Sequence, residues 1–171
     1  VQRLSLDGGL GWLPATTVRG EGIFIQLNPE CAETWQATPE ARQRIEPLNK
    51  TFNALRKRRG QPPRPLGPLL IALHTLAHAL IKQLSVDCGY GSAALRERLY
   101  YNEPVAGELM HGLLIYTASG DSEGTMGGLV RQGMPGRLEV TISRALREGT
   151  WCGADPVCIE STGQGPESTN L

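Results

Sequence analysis

Four groups of side chains have the types and spacing to do chemistry. His74, His78 and Lys82 stand at i, i+4 and i+8 and so share one face of a helix. Two histidines at that spacing can hold one metal ion, as in the HExxH motif of zinc proteases. The residue after the first histidine is Thr75, so the glutamate needed as general base is absent and that reading is excluded. A pair of core histidines satisfied by hydrogen bonds, or a polar cleft, fits the same spacing. Cys152 and Cys158 form a C-x5-C pair, looser than a usual zinc knuckle, although Gly153 and Pro156 supply a turn that could bring both sulfurs to one ion. A small disulfide loop and two unrelated buried thiols are the other readings. Cys31 and Cys88 are candidates for further ligands or plain buried hydrophobes.

The third group lies in TASGDSEGTMGGL, residues 117–129. A strand entering glycine-rich backbone and then a helix is where α/β proteins bind anions, at the exposed N–H groups of the helix start. The stretch lacks the Lys-Ser/Thr ending of a Walker A loop and is not GxGxxG. Asp121 and Glu123 would repel a phosphate unless a cation intervened, and could themselves hold Mg²⁺ or Mn²⁺. Equally, Asp121, Ser122 or Thr125 caps the helix while the glycines allow close packing. The fourth group is basic: eight Lys or Arg and one acid, Glu46, lie between Arg42 and Arg64, densest at Arg56, Lys57, Arg58 and Arg59. Such cations contact phosphates by releasing counterions, or form a solvated helix end favoured by the helix dipole. Without a base-reading motif, any DNA contact here concerns the backbone.

These groups need elements to position them. The 171 residues suit one domain with a sizeable core, and 40% hydrophobic with 20% charged residues is ordinary for a globular protein. Net formal charge is zero, so an electrostatic partner must be met locally. With 21 glycines and 12 prolines, turns are plentiful. The opening residues carry no charged-then-apolar leader, and four irregularly spaced cysteines fit a reducing cytoplasm. The run PLGPLLIALHTLAHALI, broken by two histidines, is short for a bilayer, so no membrane partner is expected.

GWLPATTVRGEGIFIQL has strand composition, and the poor alternation of GIFIQL predicts a strand covered on both faces. NPECAETW starts a helix with Asn28 as cap and Pro29 at its first position. A second helix begins near TPEARQRI, with Pro47 kinking or dividing it, and ends in LRKRRG. QPPRPLGP is a proline-rich connector and the seam between residues 1–67 and 68–171. Residues 68–86 form a helix apolar around most of its circumference, hence core. GSAALRERLY reads as a short amphipathic helix capped by Ser92, and HGLLIYTAS as a central strand. A last helix, apolar at Leu138, Ile142, Ala145 and Leu146, delivers the chain to Trp151 and Cys152. The fold class is α+β or α/β, mostly helical around a small sheet, with a zinc-knot-like C-terminal segment.

From Leu69 to Leu171, the stretches LHTLAHALIKQLSVDCGYGSAALRERLY, GLLIYTASGDSEGTMGGLVRQG and WCGADPVCIES resemble the MrfA zinc-binding, or MZB, domain family. Upstream, GWLPATTVRGEGIFIQL is similar to the form found in a core component of the DISARM phage-defence system. The resemblance implies a non-catalytic accessory domain, a helicase partner (the DISARM helicase DrmA) and a role on foreign DNA. It also implies a structural zinc on four thiolates. Cys152 and Cys158 match the family's first pair; this sequence stops at Asn170–Leu171, where the second pair is expected, so the zinc would lack half its ligands here. The resemblance supplies no catalytic residue. The competing expectation from the residues themselves is a divalent-metal hydrolase or nuclease using Asp121 and Glu123 with His74 or His78 as ligand or base.

Overall fold

The computed structural model describes residues 17, 19–91, 94–102, 110–117 and 127–149. Among these, five helices combine with a three-stranded antiparallel sheet, an α+β arrangement. Strand β1 (Gly22–Gln26) leads into helices α1 (Pro29–Gln36), α2 (Pro39–Arg58) and α3 (Pro68–Cys88). Strands β2 (Leu95–Tyr101) and β3 (His111–Thr117) follow, then helices α4 (Gly128–Gln132) and α5 (Leu138–Glu148). The sheet order is β1-β3-β2, so HGLLIYT is central as expected, and the alternative α/β class is set aside because no described pair is parallel.

The helices start where local chemistry dictates. Asn28 accepts the Cys31 N–H at 3.1 Å with Pro29 in the first position of α1. Thr38 accepts the Ala41 N–H at 3.3 Å and Pro39 opens α2 in the same way. Pro47 neither ends nor divides α2, which runs on to Arg58. Ala41, Ile45, Leu48 and Phe52 are buried along one stripe of α2, and that packing holds the helix through the missing N–H. Gly67 and Pro68 open α3, and Gly89, at φ +74°, closes it in the left-handed conformation that glycine adopts without a Cβ clash.

α3 is the hub. Leu69, Leu73, Ala77, Leu80 and Leu84 bury one stripe against Leu113 and Ile115 of β3, Ile23 of β1, and Leu129 and Ala145 of the last two helices. Ile71, on another side, joins Ile45, Leu48, Phe52 and Leu66 in a second cluster. By length and composition α3 is apolar enough to cross a membrane, contrary to the sequence expectation. Its leucine stripe is nevertheless already packed within the core.

Three expectations are corrected. Residues 95–101 are a strand, not a helix; Ser92, the expected cap, lies outside the described residues. β1 is covered on one face only: Ile23 points to the core while Phe24 is 54% exposed and meets Tyr100 edge-on at 5.5 Å across the outer face. On α5 Ala145 is buried and Leu138 and Ile142 pack against the core as expected, but Leu146 is exposed and Thr141 takes the other buried position. The Thr141 hydroxyl donates to Asp87 at 3.3 Å, tying α5 to the end of α3.

The proline-rich connector is held by side chains rather than by secondary structure. Asn49 accepts the Leu66 N–H at 2.6 Å and donates to the Leu66 carbonyl at 3.3 Å, and Asn53 accepts the Arg64 N–H at 2.8 Å. The two asparagines stand at i and i+4 on α2 and imitate a neighbouring strand for a segment whose prolines cannot form a ladder. Replacing Asn49 with Ala leaves the N–H and C=O of buried Leu66 without these partners. The expected cost is about 1–3 kcal/mol, read as a lower urea midpoint with unchanged slope.

Candidate functional site

The two histidines of α3 do meet a third ligand-type side chain. His74 and His78 project from one face of the helix toward the core-facing side of β2, where Glu97 stands between Leu95 and Leu99. The His74 Nε2 lies 2.9 Å and the His78 Nε2 3.4 Å from the same oxygen, Glu97 Oε1. Their rings stack edge-on with centroids 4.6 Å apart. His74 and Glu97 are mostly enclosed, whereas the His78 side chain is 50% exposed, so the cluster opens to solvent on that side. The other carboxylate oxygen, Glu97 Oε2, is buried without a hydrogen-bond partner.

The electrostatics follow from this geometry. Burial alone would raise the Glu97 carboxyl, but the hydrogen bonds from His74 and His78, with their charge, prevail and hold it at about 2. The bond to Glu97 lifts His78 above its ordinary value against the opposing effect of burial, and the carboxylate charge adds to the rise. Glu97 is hidden from the sequence because LRERLY reads as a helix, on which residue 97 would not face α3. Lys82, the third residue of the expected stripe, lies exposed one turn beyond His78. Among the described residues this is the cluster of three or more His, Cys, Asp or Glu able to share an ion, and it contains no thiol.

A second polar centre is equally hidden from the sequence. Glu21, at the entry to β1, is only 8% exposed. Its Oε2 accepts the N–H of Gly127 at 2.9 Å and of Val130 at 3.1 Å, and its Oε1 accepts the Tyr90 hydroxyl. Its backbone N–H reaches the Thr117 hydroxyl at 3.2 Å. The carboxylate thus caps the start of α4 and ties it to β1 and the turn after α3, while the backbone N–H of the same residue reaches the end of β3. Burial pushes the carboxyl up, but the Tyr90 hydroxyl and the α4 N–H groups outweigh it, and the net shift is downward. Tyr90 is pushed up to about 12 by burial and by the carboxylate it faces. Glu21 caps α4 from a distance in sequence; Asp121, Ser122 and Thr125, the capping candidates of the sequence, lie outside the described residues.

The basic group sits at the C-terminal end of α2, where cations complement the helix dipole. Its members are not equivalent. The Arg56 guanidinium lies over the Phe52 ring at 5.6 Å and its Nε donates to the Pro62 carbonyl at 2.7 Å, so it braces the connector. Lys57, Arg58 and Arg59 are exposed.

Cys152, Cys158, Asp121 and Glu123 lie outside the described residues. Among the described residues, the carboxylate that His74 and His78 meet is Glu97. Of the described thiols, Cys31 is exposed on α1 and Cys88 is half-buried at the end of α3. Burial, then the Asp87 and Glu21 charges, push the Cys88 thiol up, away from the thiolate a metal requires.

Residues 76–163, just over half the chain, match the family described as MZB, the MrfA Zn-binding domain. That span holds His78, Glu97, Cys152 and Cys158; His74, Glu21 and the basic helix end precede it. Over 157 residues the chain is 40% identical to the DISARM protein DrmB of Bacillus paralicheniformis. The aligned region is 91% of this chain and 27% of that protein, so the chain spans little more than a quarter of the relative's length.

Proposed function

The chain belongs to the MrfA Zn-binding (MZB) domain family, and on that premise we infer that it is a non-catalytic accessory domain of a DISARM-type antiphage system. The observation that carries this reading is the 40% identity to DrmB across 91% of the chain. A DISARM protein and a zinc-binding family together fit an accessory role in that defence. The domain docks a helicase partner, DrmA, and helps that partner hold DNA. ATP hydrolysis falls to the helicase, since this sequence has no Walker motif.

Zinc, when bound, braces the C-terminal segment and contributes folding energy there. The residues of this chain that would hold it are the thiols of Cys152 and Cys158. The DNA-facing surface is the exposed end of α2 at Lys57, Arg58 and Arg59, with Arg56 fixing the shape of that end through Phe52 and Pro62. Contact with phosphates alone predicts binding that is indifferent to sequence and weakens with salt.

The test is charge reversal at Lys57 and Arg58 together, assayed by fluorescence anisotropy with duplex and single-stranded DNA over a salt series. Affinity falls about tenfold or more, and the slope of log affinity against log salt shrinks by about two, one for each phosphate no longer neutralised. Both side chains are exposed, so the urea midpoint stays put. Unchanged affinity with an intact fold refutes this surface, while loss of DrmA co-purification without loss of DNA binding assigns the helix end to docking instead.

A further inference from the structure

The geometry points to a metal site, separate from the cysteine pair, in which His74, His78 and Glu97 take a divalent first-row transition ion through the two Nε2 atoms and the carboxylate. Two donors held about 2.0–2.2 Å from one ion, at the angles of a tetrahedral or octahedral shell, lie roughly 3–3.5 Å from each other. The two nitrogen–oxygen separations, 2.9 and 3.4 Å, are of that size. The three donor atoms lie within 4.8 Å of one another, so small rotations of the half-exposed His78 ring close the set.

The second observation is Glu97 Oε2, which is buried and without a partner. Buried carboxylate oxygens are nearly always satisfied. A cation that takes both oxygens of Glu97 answers that orphan, whereas a plain His–Glu–His hydrogen-bonded bridge leaves it. The donor set is two imidazoles and one carboxylate, a combination that suits Zn²⁺, Fe²⁺, Co²⁺ or Ni²⁺ better than the all-oxygen shells of Mg²⁺ and Ca²⁺. Water reaches the remaining positions from the open His78 side. Because Thr75 stands where a protease carries its general base, the ion acts as a brace between α3 and β2.

The site does not depend on the DISARM reading, and its test does not involve DNA or the helicase. The full chain carrying Cys152→Ser and Cys158→Ser is titrated with Zn²⁺ by calorimetry and with Co²⁺ by visible absorption. One Zn²⁺ per chain is taken up, and Co²⁺ gives ligand-field bands with no sulfur-to-metal charge transfer. Adding His78→Gln, or separately Glu97→Gln, weakens uptake by more than the roughly 10–100-fold typical of losing only an outer-shell partner, with far-UV circular dichroism unchanged. Absence of uptake in the parent, or equal uptake in parent and variants, overturns the site. Zinc bound only when both cysteines are present also overturns it, by placing all the metal on the thiols.

Discussion

Glu21→Leu lowers the stability of the fold by about 2–4 kcal/mol, the cost of leaving a buried hydroxyl and two partly buried N–H groups without their charged acceptor. The carboxylate accepts three hydrogen bonds, from Tyr90 and from the N–H groups of Gly127 and Val130. Leucine fills the volume and satisfies none of them, leaving the start of α4 and a buried phenol unpaired. Glu21→Gln is milder, because its amide oxygen accepts both N–H groups and its nitrogen donates to the Tyr90 oxygen. Urea unfolding of the three proteins at neutral pH orders them wild type, Gln, Leu. The Glu21 carboxyl is held below its ordinary 4.5, so its contribution is present above that pH and is lost as pH falls through the depressed value. Tyr90 is raised from 10 to about 12, so its contribution is present below pH 10 and disappears as pH rises through about 12. The stability gap between wild type and Glu21→Leu is therefore flat between those limits and narrows outside them. A gap that stays constant below pH 4 disproves the charged latch.

Leu113→Ala and Leu114→Ala, one residue apart on β3, differ several-fold in cost. Leu113 is fully buried and faces α3 with Ile115, while Leu114 is half-buried on the opposite face beside Phe24 and Arg98. Truncating the first opens a cavity at the centre of the sheet and costs about 2–5 kcal/mol. Truncating the second removes packing that solvent and neighbouring side chains replace, for about 1 kcal/mol. Equal losses in urea unfolding would mean that both faces of the sheet are packed.

Much of the architecture is legible in the sequence because it rests on local rules. The Asn28–Pro29 start, the leucine-rich core helix and the central strand HGLLIYT each satisfy one period and its punctuation without help from elsewhere. The exception is β2, and it is misread for the reason that makes it interesting. Leu95 and Leu99 stand four positions apart, which suits a helix and a strand equally. The residue that should break the tie is 97, on the inward side of the strand, and it is a glutamate. It points inward because two histidines await it, so the cluster hides the alternation that would reveal its own strand. Phe24 misleads in the opposite sense: its exposure on the outer face, against Tyr100, makes an alternating strand look apolar on both sides. Glu21 leaves no local signal, since its partners Tyr90, Gly127 and Val130 become neighbours only through the sheet and the core helix.

That remoteness also bears on the order in which the chain assembles. The helix α3 and the β2–β3 pair come from one continuous stretch, so their contacts close early and at small entropic cost. β1 must return across the chain to pair with β3, and Glu21 then reaches partners 106 and 109 residues away. These bonds reward the chain only after that long loop has closed. The latch accordingly belongs to the downhill side of the folding barrier: weakening it hastens unfolding and leaves the refolding rate nearly untouched. Glu21 thus sets how long the assembled domain persists, while the core helix and its hairpin set how fast it forms.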